Sequence, residues 1–115
     1  MIHFHRPDTE LGDLVRESVD TGHQVFVIDA GPDVKTSIAR FAEVLRLPEW
    51  FGQNLDALND SLRDFRAGAP TATTLIWDWV RPLRRAHPQG YESILAVLDD
   101  SQEDRRDLEI HVLQR

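Results

Sequence analysis

The stretch LPEWFGQNLDALNDSLRDF, residues 47–65, combines a helix stop, an aromatic loop and a helix with two unlike faces. Pro48 disfavours helical geometry at the residue before it, so a helix arriving from upstream should end there. Trp50 then lies in a short loop that ends at Gly52, which can adopt backbone angles that other residues avoid. The loop therefore separates two predicted helices.

The second of these helices has an apolar stripe and an acidic stripe. Asn54 is a good N-cap, and residues 55–65 are predicted to be helical. Carboxylates near a helix C-terminus gain nothing from the helix dipole, and like charges four residues apart repel by roughly 0.2–0.5 kcal/mol. The acidic stripe therefore indicates either an ordinary solvated face or an electronegative recognition surface. At about 100° per residue, the apolar stripe contains Leu55, Leu58, Leu62 and Phe65, and the acidic stripe contains Asp56, Asp60 and Asp64.

Length and charge restrict the class of protein. With 115 residues, the chain is expected to form a single domain, 1–115. Its 20 acidic and 13 basic residues give a net charge of −7, which argues against nucleic acid and anionic membrane as partners. No apolar run approaches the roughly 20 residues that cross a bilayer. The absence of cysteine and of a secretory signal in MIHFHRPDTE leads us to expect a cytoplasmic protein.

Apolar runs and periodicities predict strands that alternate with helices. The predicted strands are residues 2–5, 24–30, 73–79 and 108–113. The predicted helices begin near residues 7–9 and end at Gly22, span 33–47 and 55–65, start near Pro82, and span 89–101, followed by a charged linker at 102–107. Because strands separated by helices favour parallel pairing, the sequence predicts a small α/β domain.

Signatures of catalysis are mostly absent from the sequence. There is no GxSxG elbow, no glycine-rich phosphate loop and no HExxH pair. Asp56 with Asp60, or Asp99 with Asp100, would act as general acid and base only in a cleft that raises the pKa of one carboxyl group. A solvated helix face provides no such cleft, so we predict that the protein is not an enzyme and needs no cofactor.

The five histidines do not form an evident metal site in the sequence. His3 and His5 have ligand-like spacing, because alternate residues of a strand point to the same side. Zinc needs three or four ligands, however, and no further cluster lies close in the sequence, so we predict no metal. The isolated histidines, expected to have surface or strand-face roles, are His23, His87 and His111.

Residues 47–65 resemble the signature segment of the barstar family, intracellular protein inhibitors of secreted microbial ribonucleases. The pattern PE-aromatic-aromatic-G-x-N-x-DAL-x-D-x-L has fixed spacing, and the likeness continues through LIWDW and GYESILAVLDD, covering 24–113. Residues 1–22 lie outside it and are expected to be an N-terminal extension with an extra strand and helix. The resemblance implies a barstar-like parallel sheet of three strands flanked by helices.

The resemblance also implies a mode of action. The acidic helix and the loop before it would block the active site of a basic ribonuclease, in a 1:1 complex with a monomeric inhibitor that serves as antitoxin or immunity protein. Asp60 matches the carboxylate that occupies the nuclease's phosphate-binding pocket, Asp56 the neighbouring acidic contact, and Trp50 the aromatic residue that covers the catalytic histidine. The remaining matches are Gly52 and Asn54 in the loop and Asp100, which corresponds to a peripheral glutamate.

Two positions depart from the family's type member. Asn59 replaces a tryptophan, and this removes a large apolar contact. Arg63 replaces a small polar residue, and its charge could repel a basic nuclease. These departures keep an alternative open, in which the chain is a barstar-fold binding module for a protein that is not a ribonuclease.

Overall fold

The computed structural model describes residues 1–47, 54–65, 72–103 and 105–115 of the chain. The predicted α/β class, with strands and helices in alternation, is confirmed. The strands are β1 (Ile2–His5), β2 (Gln24–Asp29), β3 (Thr73–Asp78) and β4 (Leu108–Leu113). The helices are α1 (Leu11–Asp20), α2 (Val34–Leu45), α3 (Leu55–Asp64), α4 (Arg81–Ala86) and α5 (Pro88–Gln102).

The strands form one parallel sheet in the order β1-β4-β3-β2. The resemblance implied three strands, and the fourth comes from the N-terminal segment outside it. This edge strand, β1, pairs with β4, so that Ile2 lies beside Ile110 and His5 beside Leu113. The expected extra strand and helix are therefore present, and the strand widens the sheet.

Strand β3 lies inside the sheet, and all six of its residues are buried. On one face, Leu75 and Trp77 join a core that includes residues of α2, α3 and α5. The Trp77 ring stacks on Tyr91 of α5 with ring centroids 5.5 Å apart, and its centroid lies 6.1 Å from that of Phe41 of α2. The large core of the protein is therefore on this side of the sheet.

The opposite face of the sheet is covered by α1. Ile110 and Val112 of β4 belong to the large core, and because side chains alternate along a strand, Glu109 and His111 point the other way. They line a hollow with residues of α1, among them the buried Leu14. Helices thus pack on both sides of the sheet, as is general for parallel sheets, while Val27 of β2 stays exposed.

Several element boundaries differ from those predicted. Helix α2 ends at Leu45, because Arg46 adopts a left-handed φ of 53° and the Leu47 N–H donates to the Ala42 carbonyl at 2.9 Å. The chain therefore leaves the helix two residues before the predicted end at residue 47. Helix α1 begins at Leu11 rather than near residues 7–9, which lie before it in a turn. Strands β2 and β3 each end one residue earlier than predicted.

The buried carboxylate of Asp78 is paired where β3 ends. Its two oxygens accept hydrogen bonds from the Arg115 guanidinium at 3.0 and 2.9 Å, and Oδ1 also accepts from the Trp79 N–H at 2.8 Å. The guanidinium lies over the Trp79 indole, 4.2 Å from the ring centroid. Because such bidentate pairing offsets the cost of burying the charge, Asp78 anchors the last residue of the chain to the sheet.

The packing of α5 on α2 can be tested at Gly90. A Cβ at this position would lie 2.2 Å from Cγ2 of Val34. Gly90→Ala should therefore lower the free energy of unfolding by about 1–3 kcal/mol through overpacking. The control Gly12→Ala in α1, where no described atom lies within 4 Å of the new Cβ, should raise it by up to about 1 kcal/mol. Urea unfolding measures both, and a Gly90→Ala protein as stable as the parent would contradict this packing.

Candidate functional site

Helix α3 presents one face to the core and the other to solvent. The side chain of Asn54 accepts a hydrogen bond from the Ala57 N–H at 2.8 Å, which confirms the predicted N-cap. Leu58 and Leu62 are fully buried in the core, whereas Asp56 is exposed on the outer side. The amphipathic character predicted for this helix is therefore present in the fold.

Arg105 fixes the other end of α3. Its guanidinium donates to the carbonyl of Leu62 and to that of Phe65, both at 2.9 Å. The carboxylate of Asp107 accepts two more hydrogen bonds from the same guanidinium, at 2.9 and 3.0 Å. A cation that hydrogen-bonds the last carbonyls of a helix also interacts favourably with its dipole. Arg105 therefore holds α3 in place from outside the helix.

Arg105 lies in the segment that was predicted from the sequence to be a charged linker, and no role was predicted for it. Its contacts with α3 span 40 or more residues of chain, so no local pattern pointed to them. The one local signal was Asp107, two residues further along the chain, because a nearby carboxylate can pair with the arginine and order it. The side chain of Arg105 is 11% exposed, which distinguishes it from a solvated linker residue.

The two residues that depart from the family pattern, Asn59 and Arg63, both contact the Asp100 side chain of α5. The Arg63 guanidinium donates a hydrogen bond to the Asp100 carboxylate. This bond is the main reason that the pKa of Asp100 lies below its usual range, and a hydrogen bond from the Asn59 side chain lowers it further. The charge of Arg63 is therefore balanced inside the protein, and the repulsion expected from the sequence is reduced.

Asp56 and Asp60 differ from Asp100 in their hydrogen bonding. Both are exposed, and no residue in the described ranges donates a hydrogen bond to either carboxylate. Because they are four residues apart on one helix, they lie on the same side of it. The two carboxylates can therefore accept hydrogen bonds from cationic groups of another molecule.

A shallow hollow lies beside the carboxylate of Asp56, between the first turns of α2 and α3. Its lining combines apolar and charged side chains, so it can receive an apolar group next to the carboxylate of Asp56. The residues that line it are Val34, Lys35, Ile38, Asn54, Leu55 and Asp56.

The structure brings most of the predicted interface residues together. Five of them, Asn54, Asp56, Asn59, Asp60 and Arg63, lie on or cap α3, and Asp100 reaches the same helix from α5. Trp50 and Gly52 lie outside the described residues. Contact with a nuclease remains a prediction for all eight positions.

The described residues contain neither a candidate metal site nor a candidate membrane span. Among the described residues, no group of three or more His, Cys, Asp or Glu side chains has a geometry that could hold a metal ion. Within the same ranges, none of the helices combines the length and the apolar character that a membrane span requires.

Comparison with known families identifies the main body of the fold. A family model described as "Barstar (barnase inhibitor)" matches residues 23–114. The match includes strands β2, β3 and β4 and all of α3, and it leaves out β1 and α1. No curated protein matches the chain.

Arg105→Ala tests whether this side chain anchors α3. It should lower the free energy of unfolding by about 2–4 kcal/mol, because two carbonyls of the helix end lose their donors. Arg106→Ala removes the same charge from the exposed neighbouring residue and should change the stability by less than about 0.5 kcal/mol. Denaturant unfolding compares the two variants, and equal stabilities would show that Arg105 does not support the helix.

Proposed function

The chain belongs to the barstar family, and from this membership we propose that it inhibits a microbial ribonuclease by placing α3 and the preceding loop in the nuclease active site. Members of this family are ribonuclease inhibitors rather than enzymes, so the partner is a protein. The proposed role is that of an antitoxin or immunity protein, which protects the cytoplasm of the cell that makes it.

The observation that carries the proposal is the pair of exposed carboxylates on α3. Ribonucleases bind the phosphates of RNA through cationic and hydrogen-bonding side chains. A carboxylate is an anion that accepts the same charge-assisted hydrogen bonds, so Asp60 can take the position of a phosphate and Asp56 can contact the groups beside it. Both carboxylates are available for this because no described residue donates a hydrogen bond to them.

The position of α3 supports the same proposal. The helix is capped by Asn54 at its start and by Arg105 at its end, and its inner face is buried in the core. A surface that is already rigid loses less conformational freedom on binding, so more of the interaction energy appears as affinity. The net charge of −7 would also attract a basic nuclease and accelerate its encounter with the inhibitor.

The remaining residues receive roles from the family resemblance. We propose that Trp50 covers the catalytic histidine of the nuclease. Gly52 and Asn54 would belong to the loop that approaches this histidine. The pair of Asp100 and Arg63 is proposed to lie at the rim of the interface, where an ion pair between exposed side chains contributes little affinity. In this proposal residues 1–115 form one domain, in which residues 1–22 are an N-terminal extension. The inhibitor is a monomer that binds one nuclease molecule.

A second candidate function is binding of a protein that is not a ribonuclease. The specific observation that favours it is the engagement of Asp100 by Arg63, which neutralises one of the expected acidic contacts. Asn59 lies beside this pair and offers no large apolar contact. Recovery of the chain from its native cells with its partner attached, followed by mass spectrometry, distinguishes a nuclease from another protein.

Asp60→Ala tests the proposed inhibitory surface. Loss of charge-assisted hydrogen bonds worth about 1.5–3 kcal/mol should weaken inhibition by roughly 10- to 100-fold. The Tm should stay the same or rise, since Asp60 repels Asp56 and Asp64 on the same helix. Inhibition titrations against a panel of microbial ribonucleases, with thermal unfolding of each variant, measure both effects.

The matched control for this variant is Asp20→Ala, which removes the same charge from an exposed residue on α1, across the sheet from α3. It should inhibit as the parent does. Equal inhibition by the Asp60→Ala and parent proteins, or a loss explained by unfolding of the variant, would refute the role of Asp60. A parent protein that inhibits none of the ribonucleases would refute the proposed function as a whole.

A further inference from the structure

Four histidines meet on the face of the sheet that α1 covers. His3 and His5 extend from β1, His111 from β4, and His23 precedes β2. The His111 ring lies next to both His3 and His5, with ring centroids 4.8 and 4.9 Å apart. The prediction that His23 and His111 are isolated is therefore wrong. It failed because the parallel register places His3 beside His111, at the opposite end of the chain.

A chain of hydrogen bonds links His5, His111 and Glu109 when the two rings are neutral. His111 Nε2 lies 2.7 Å from Glu109 Oε1, and His111 Nδ1 lies 2.7 Å from His5 Nε2. Since a carboxylate can only accept, His111 carries its proton on Nε2 and accepts at Nδ1 from the N–H of His5. If both rings were protonated, two N–H donors would face each other, and the contact between β1 and β4 side chains would become repulsive.

Few negative charges face this histidine cluster. The charged groups that line the hollow are Glu109 of β4 and Glu17 of α1, and Thr74 of β3 adds a neutral hydroxyl 2.9 Å from His23 Nδ1. Glu109 lies 3.8 Å from both His3 Nε2 and His23 Nδ1, and it also contacts His111. This one carboxylate is therefore close to three of the four rings. Two carboxylates cannot balance four imidazolium groups, so full protonation would leave a net positive charge under α1.

The surroundings also disfavour protonation of the central rings. Burial lowers the pKa of His5, and the neighbouring His111 and His3 lower it further. Burial likewise lowers the pKa of His111, although Glu109 opposes this effect. Both rings are therefore held neutral in the folded protein at neutral pH.

We propose that this histidine cluster makes the docking of β1 and α1 on the sheet dependent on pH, so that mild acidification releases residues 1–22 while the rest of the fold persists. The released segment lies outside the part of the chain that matches the barstar family, residues 23–114. Helix α3 packs on the opposite face of the sheet, with Leu58 and Leu62 in the large core, and among residues 1–22 it is the partly buried Ile2 that packs against this core.

The direction of the pH effect follows from the proton balance. The docked form holds His5 and His111 with lowered pKa values, and so it binds fewer protons than the released form. Docking is then strongest above the ordinary histidine pKa of about 6.5 and weakens progressively as the pH falls below that value. The expected behaviour is a loss of protection in residues 1–22 between pH 7.5 and pH 5.5.

Hydrogen–deuterium exchange of the full chain tests this proposal. Exchange is compared at pH 7.5 and 5.5 in the presence of EDTA, with correction for the intrinsic pH dependence of amide exchange. Amides of β1 and α1 should lose protection at least tenfold at pH 5.5, whereas amides of β3 should keep theirs. Equal protection of residues 1–22 at the two pH values would overturn the proposal, and so would a simultaneous loss in β3, which indicates global unfolding.

Two variants identify the groups responsible. The double variant His5→Gln with His111→Gln retains hydrogen-bonding side chains without a titratable proton, and its residues 1–22 should be equally protected at both pH values. If this variant does not fold, His5→Gln alone should reduce the pH-dependent change. His87→Gln, at an exposed position before α5, should respond to pH as the parent does. A histidine-cluster variant that folds and keeps the full parental response would refute the assignment.

Discussion

Strand β3 must be covered on both faces, because it lies between two parallel neighbours and all six of its residues are buried. One face packs Trp77 against α2 and α5 in a core that also receives Leu58 and Leu62 of α3. The other face lies under α1. This arrangement decides where function can be located, since α3 has its apolar stripe committed to the core and can only turn its acidic stripe outward.

Helix α3, which carries the acidic stripe, is held in place at both ends and along one side. The N-cap at Asn54 and the guanidinium of Arg105 satisfy backbone groups at opposite ends of α3. The pair of Arg63 and Asp100 ties the helix to α5. The result is an anchored surface on which the carboxylate of Asp100 is neutralised within the chain, whereas that of Asp60 accepts no hydrogen bond from a described residue.

Local features of this fold were predictable from the sequence, and contacts between distant residues were not. The cap at Asn54, the spacing of the acidic residues and the continuous apolar run of β3 each depend on residues close together in the chain. Arg105 could not be assigned to the end of α3, because its partners lie 40 or more residues away. Likewise, His3 meets His111 only because β1 adds to the edge of the sheet beside β4, and no sequence pattern specifies that pairing.

The central claim is that the acidic face of α3 replaces an RNA phosphate in a ribonuclease active site. Steady-state kinetics of a sensitive ribonuclease, measured over a range of dinucleotide substrate concentrations with and without the protein, tests it directly. Competition for the active site should raise the apparent KM linearly with the inhibitor concentration and leave kcat unchanged. Inhibition that lowers kcat at saturating substrate, with no change in KM, would place the protein elsewhere on the nuclease and contradict the claim.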